Sequence, residues 1–409
     1  MSTTTLSARY FPLSEPTFRE LVERVRRQGL ALGVGGLVLG LVVGFFSPIA
    51  FFPAYLATYL FFLGLGIGSL ALLMLHHLVG GAWGFAIRRP LEAASMTLPV
   101  LALLFLPIAL GMRTLYPWTD PAFVSEHAAV AAKSGYLNVG FWSVRAVLYH
   151  AIWSGLALLF HRNSILQDTT EDPSPTWRNQ ALSPPGLILV FLSVTFAMVD
   201  WAMSIEPEWY STIYGVMLLI GMGLSALALA VAVSTPLREV WPIRGVTDAE
   251  GYNDLGNLLL AFVMLWAYMS FSQYLIIWMG NIAEEVPWYV KRSEGAWRWV
   301  CATLMVLHFA LPFVLLLVRD NKREPGRLWK VAALIFAFQF VNDLWLIVPA
   351  FPSPQWRQLI ATAPALVGVG GVWAACYAWL LGSRPLIPQH DPLLAEVHGQ
   401  HPHGGGHRP

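Results

Sequence analysis

The chain has 409 residues, 56% of them hydrophobic and only 12% charged, and its mean hydropathy is +0.57. A soluble domain usually carries about twice that share of charge, so the composition excludes a soluble protein and requires lipid as the solvent. A net charge of +1 and a pI near 7.9 leave no basic face for nucleic acid.

The first apolar run begins near Gly29, after a segment holding Arg9, Arg19, Arg24, Arg26 and Arg27. Residues 1–28 read as a cytoplasmic N-terminal segment. The run is too long for the core of a cleaved signal and reads as the first anchor. At 1.5 Å per residue, a hydrocarbon core of about 30 Å takes about 20 apolar residues. Runs of that length predict spans over 29–51, 54–80, 92–112, 141–161, 184–205, 211–234, 254–279, 298–319, 329–350 and 358–382, a ten-helix domain over 29–382. With the N-terminus in the cytoplasm, 18 of the 25 Lys and Arg fall on the cytoplasmic side. The exceptions are Arg113, Lys133, Lys291, Arg292, Arg298 and Arg357 in outside loops, and Arg145 inside a span. This asymmetry predicts that both termini are cytoplasmic.

The two long outside loops carry Tyr116 and Trp118 (113–140) and Trp288, Tyr289 and Trp297 (281–298). They are expected to form the aromatic belt at the membrane surface, with docking of a partner as the alternative. Cys301 and Cys376 lie in apolar runs with no paired-cysteine motif. They read as packing thiols, with no iron–sulfur cluster or zinc site on this chain. The tail 383–409 holds His390, His398, His401, His403 and His407 among Gly and Pro. It is expected to be disordered, without the fixed spacing a metal site needs.

An internal repeat is visible. Tyr59, Gly66 and Gly68 share the spacing of Tyr214, Gly221 and Gly223. In the same order, His150 corresponds to His308, and Asp200 to Asp343. The expected architecture is therefore two parallel four-helix bundles, helices 2–5 (about 54–205) and 6–9 (about 211–350), flanked by helices 1 and 10. The four glycines are expected to be helix-packing positions.

Charged groups within a bilayer are costly and face protein or water, usually with a partner. Counting along the helices puts Arg145 about 6 Å and Asp200 about 8 Å below the outer surface. The two are expected to pair, with Tyr149 on the same face as Arg145. Gln339, Asn342 and Asp343 share one face of helix 9, and Ser270, Gln273 and Tyr274 share one face of helix 7. With His308 these form a polar lining suited either to passing protons or to hydrogen-bonding a quinone. Interhelical glue is the plainer reading. His76, His77 and His161 fall near the inner interface, as solvated polar ends or as the continuation of a path. Bound haem would need histidine pairs facing each other at two depths; helix 4 has His150 and His161, but no second helix supplies matching partners at both depths, so no haem is expected.

The stretches 141–153 (FWSVRAVLYHAIW), 199–212 (VDWAMSIEPEWYST) and 252–285 (YNDLGNLLLAFVMLWAYMSFSQYLIIWMGNIAEE), with ten helices in duplicated units, resemble the NrfD/polysulfide-reductase family of membrane subunits. Within it they look closest to the smaller NrfD-like subunits of alternative complex III, bacterial quinol:electron-acceptor oxidoreductases. The resemblance covers nearly the whole chain. It implies a cofactor-free subunit of the bacterial inner membrane that has no activity alone. It implies as partners a larger NrfD-like paralogue, an iron–sulfur subunit, multi-haem cytochrome c subunits and other membrane subunits. It also implies a contribution to quinol oxidation or proton translocation, with Arg145, Asp200, Gln273, Tyr274, His308 and Asp343 carrying the polar path. Two other readings stand beside it: a secondary transporter coupled through intramembrane Asp and His, and a passive anchor.

Overall fold

A computed structural model describes residues 15–238 and 248–394. Among them there is no strand. Ten helices are long and apolar enough to cross a membrane: α1 (Pro16–Phe46), α2 (Pro48–Val79), α3 (Ala82–Leu110), α4 (Val139–Thr169), α5 (Ser174–Ile205), α6 (Tyr214–Leu237), α7 (Ala249–Gly280), α8 (Trp297–Leu317), α9 (Pro325–Ala350) and α10 (Gln355–Gly382). The chain is thus a multi-pass membrane protein. Backbone groups satisfied within each helix are what lipid demands. We call the end where α1 begins and α10 finishes the terminal face, and the other the opposite face.

Each expected span is present, most of them longer than hydropathy alone indicates. α1 already runs at Pro16, so Arg19, Arg24, Arg26 and Arg27 ride on a helix. α3 starts at Ala82, well before the expected 92, and takes Arg88 and Arg89 out of the loop assigned to them. Paired polar side chains let a helix continue where apolar residues run out. Capping fixes several ends. The Asn138 side chain accepts from the Phe141 N–H at 2.9 Å to start α4, and Asp248 accepts from Gly251 at 2.9 Å to start α7. Asn281, left-handed at φ 45°, closes α7.

α2, α6 and α9 are the most enclosed spans and form the centre, whereas α1, α7 and α8 show most of their surface outward. α2 packs on α3, α5, α6, α9 and α10; α6 packs on α2, α5, α7 and α9. α1 lies along α10, where Gly29, Gly33 and Gly36 meet Gly368, Gly371 and their neighbours backbone to backbone. A side chain at Gly36 would overlap the Gly368 backbone, so only small residues permit this approach.

The long connections on the opposite face are folded rather than spread on a surface. Tyr116 and Trp118 are buried, as are Trp288 and Trp297, which corrects the expected belt. The Tyr116 hydroxyl reaches the Trp201 carbonyl at 3.2 Å, and burial holds its pKa well above the usual tyrosine value. Trp209 stacks on Trp288 with ring centres 4.9 Å apart, and the Arg292 guanidinium lies 3.7 Å over Trp288. Arg292 is fully buried, pairs with Glu206 at 2.9 Å and donates to the Leu346 carbonyl at 2.6 Å. Burial pulls its pKa down, and the Glu206 carboxylate opposes that pull. The rings cross-brace two loops, which takes them away from lipid.

Candidate functional site

The first polar cluster joins α4 and α5. Arg145 donates from Nε to Asp200 Oδ2 at 2.7 Å and from Nη2 to Oδ1 at 2.8 Å, a two-pronged pair. The Tyr149 hydroxyl donates to Oδ2 at 2.9 Å. Arg145 also donates to the Tyr136 carbonyl at 3.1 Å and lies 3.8 Å over the Tyr136 ring. Asp200 is 0% exposed. The expected pair therefore forms, with each carboxylate oxygen occupied.

His150 stands deeper on α4 and joins a different group. Its Nε2 meets the Tyr59 hydroxyl at 2.8 Å, and its Nδ1 faces the Ala146 carbonyl at 2.7 Å. A carbonyl only accepts, so Nδ1 carries the proton and Tyr59 donates to Nε2. Phe105, Trp153 and Trp201 surround the ring. Tyr59 entered the sequence reading only as a repeat marker; a tyrosine at the depth of a histidine was the available signal.

The second cluster joins α8 and α9. Residues 304–310 of α8 form one wide π turn, and His308 sits in it with 0% exposure. Wide turns of this kind free local backbone geometry and gather at functional sites. His308 Nε2 meets Gln339 Oε1 at 3.1 Å, and Gln339 Nε2 donates to Asp343 Oδ1 at 2.9 Å. The result is a chain His308, Gln339, Asp343 from one helix to the next. Trp266 of α7 packs its edge on His308 with centres 4.5 Å apart. Among the described residues no cation pairs with Asp343. Its carboxyl borders a void of about 10 Å³ lined by Leu60, Phe61, Gly64, Leu218, Met222 and Ser225, at the lower limit of room for one water. Asn342 is buried beside it.

The helix-7 stripe does not hold together. Gln273 turns inward and accepts from Ser211 Oγ at 2.6 Å, not from the α9 stripe. Ser270 is half-buried. Tyr274 is 39% exposed, tilted against Trp278 and edge-on to Tyr289 at the periphery. Its position on α7 points it away from the core, so it leaves the candidate lining.

The four glycines serve different ends. A side chain at Gly68 would overlap the Met222 backbone of α6, and one at Gly66 would come 2.9 Å from Leu98 of α3. Gly223 faces the Phe262 ring at 2.7 Å. At Gly221 the neighbour is the Gln339 amide, 2.8 Å from where a Cβ would stand. Gly221 therefore makes room for the polar chain, which corrects its reading as a helix-packing residue.

No family model matches the chain, and no curated protein matches it. Among the described residues, no three His, Cys, Asp or Glu side chains gather in a way that could hold a metal ion. Cys301 and Cys376 are free thiols.

A third polar group, on the terminal face, went unseen in sequence. Arg88 pairs with Glu92 at 3.1 Å and with Asp391 at 2.5 Å; Arg89 pairs with Glu92 at 2.5 Å and Asp168 at 2.6 Å. Arg384 adds pairs to Asp168 at 2.5 Å and Glu92 at 3.3 Å. His76 and His77 stand beside this network at 2% exposure each, not as solvated helix ends; His161 is half-buried. Residues 383–394 are folded onto the bundle, contrary to the disorder expected of the tail. His398, His401, His403 and His407 lie outside the described residues.

Proposed function

We propose that this chain is a cofactor-free membrane subunit of a bacterial quinol:electron-acceptor oxidoreductase of the NrfD-like kind, and that its second polar cluster conducts protons. The observation that carries the reading is the chain His308, Gln339, Asp343, built on a π turn and ending in a carboxyl with no cation beside it among the described residues. An intramembrane carboxyl of that kind serves exchange of a proton better than it serves structural pairing. Gln339 holds the two titratable ends in line, accepting a hydrogen bond from the imidazole side and donating one to the carboxyl. The packing of α2 on α5 and α9, and of α6 on the same two helices, supports the duplicated arrangement of helices 2–5 and 6–9.

In this reading the terminal face is cytoplasmic, in line with its Lys and Arg. The opposite face, with its cross-braced loops, receives an iron–sulfur subunit and multi-haem cytochrome c subunits, and a larger NrfD-like paralogue and other membrane subunits lie alongside in the membrane. A quinone head group finds little room beside Asp343, where the void is about 10 Å³. The wider groove between α1, α2, α3 and α10, about 260 Å³, is apolar, and its Tyr55 hydroxyl already donates to the Leu104 carbonyl. Both features favour proton conduction over quinol chemistry for this chain.

The test is quinol-driven cytochrome reduction with proton movement followed in vesicles, comparing the native complex with Asp343→Asn. Surviving electron transfer with lost proton movement is the expected result. Unchanged proton movement in a fully assembled complex removes the proton path and leaves an anchor.

A further inference from the structure

The ion network on the terminal face leaves certain polar atoms unserved. Both ring nitrogens of His77, Nδ1 of His76 and Nη2 of Arg88 are buried without a hydrogen-bond partner. Buried polar groups of this kind are normally satisfied by protein or by ordered water. His76 Nε2 faces the Gly81 carbonyl at 3.2 Å, so it carries the proton and Nδ1 presents a lone pair. A neutral His77 offers one donor and one acceptor, and Arg88 Nη2 offers donors only. The charges nearby are already matched: Arg88, Arg89 and Arg384 against Glu92, Asp168 and Asp391. A matched network exerts no net pull on an ion, and a mixture of donors and acceptors suits water.

The segment after α10 closes over the same residues. Leu386 and Ile387 are buried, and the Asp391 side chain is 0% exposed. Arg89 donates to the carbonyls of Pro385 at 3.0 Å and Ile387 at 3.4 Å. Gln167 Nε2 donates to the His390 carbonyl at 2.8 Å, and the Gln389 N–H donates to Asp168 at 3.0 Å. His390 adopts a left-handed backbone at φ 57°, a conformation uncommon outside glycine, and the next residue, Asp391, is fully buried. Its Oδ2 takes Nη1 of the guanidinium whose Nη2 is unpartnered.

We propose that residues 383–394 form a plug that seals the buried polar cluster of His76, His77 and Arg88, and that the cluster opens to the terminal face when Asp391 leaves Arg88. α3, α4 and α5 supply the socket through Arg88, Arg89, Glu92, Gln167, Asp168 and Thr176. Thr176 Oγ1 adds a contact to Asp391 at 3.3 Å. The plug stands whether or not protons use this cluster.

Diethyl pyrocarbonate, which acylates accessible neutral imidazoles, tests it on the full chain in native membranes, with the exposed His390 as internal reference. In the native protein His76 and His77 are expected to react at least about tenfold more slowly than His390, the protection a closed segment confers. Asp391→Asn should bring all three rates together. Equal rates in the native chain overturn the plug, and so does unchanged protection in Asp391→Asn. If that variant does not accumulate, amide hydrogen exchange of the native chain decides. Slow exchange at Gln389, Leu393 and Leu394 is expected, and free-chain rates there overturn the proposal.

Discussion

Asp200 and Asp343 are both buried carboxyls on long helices, one in the first half of the bundle and one in the second, and their surroundings differ in kind. Asp200 is held by both prongs of Arg145 and by Tyr149. Asp343 has the amide of Gln339 and a small void. A paired carboxylate is locked, since changing its charge breaks an ion pair and strands the partner. A carboxyl bound only to an amide can change its protonation without stranding anything. One sequence feature, a lone Asp in an apolar helix, is thus a rivet in one half and, in the proposed reading, a working group in the other.

The largest expected effect breaks the rivet. Arg145→Leu leaves Asp200 buried and unpaired, which costs about 3–5 kcal/mol. Most of the protein should be lost from the membrane, measured as extractable yield and Tm. The double variant Arg145→Leu with Asp200→Leu should recover much of that loss, because two apolar residues replace a buried pair at little cost. A single variant as stable as the native chain would show that the pair holds nothing.

The second prediction cuts the working group from its neighbour. Gln339→Leu removes both bonds of the chain between His308 and Asp343 while leaving each end in place. Proton movement per electron should fall by about 10²-fold, the usual worth of a positioned proton-transfer group, with assembly retained. Proton movement at the native level in Gln339→Leu would mean that the route does not pass through the three-residue chain.

How far these groups were legible from sequence follows from distance along the chain. The Arg145–Asp200 pair was legible because depth can be counted on two consecutive helices. Gln339 and Asp343 were legible because four-residue spacing places them on one face. The terminal-face network was not, since Arg88 and Asp391 are 303 positions apart and each looked like a loop or tail charge. Arg88, Arg89 and Glu92 at helical spacing were the one local hint. Periodicity also fails to say which face of a helix meets protein, and that is why Tyr274 was placed in the lining. Likewise Trp118 and Trp288 read as surface anchors because a sequence shows no loop-to-loop packing.

The glycines sharpen the contrast at smaller scale. Gly68→Ala pushes a methyl into the Met222 backbone, which cannot yield, so α2 and α6 must separate and assembly should drop. Gly221→Ala meets only the end of the Gln339 side chain, which can swing aside. Assembly should then stay near native while proton movement falls with the displaced amide. Equal assembly defects in both variants would return Gly221 to a plain packing role.

The smallest expected effect is none. Tyr274 is 39% exposed at the outer side of α7, four residues before the outward-facing Trp278 and three after the outward-facing Phe271. Aromatic residues repeating at three- and four-residue steps on an exposed helix face mark the side turned to lipid or to a neighbouring subunit, where a hydroxyl has no role in a buried chain of bonds. Tyr274→Phe should therefore leave yield, electron transfer and proton movement within error of native. Gln273→Leu, one position earlier but turned inward, removes the bond to Ser211 and should cost about 0.6–2 kcal/mol of stability, as interhelical polar bonds in membranes do. A proton defect in Tyr274→Phe would restore the helix-7 stripe to the path and shift the working site outward from Asp343.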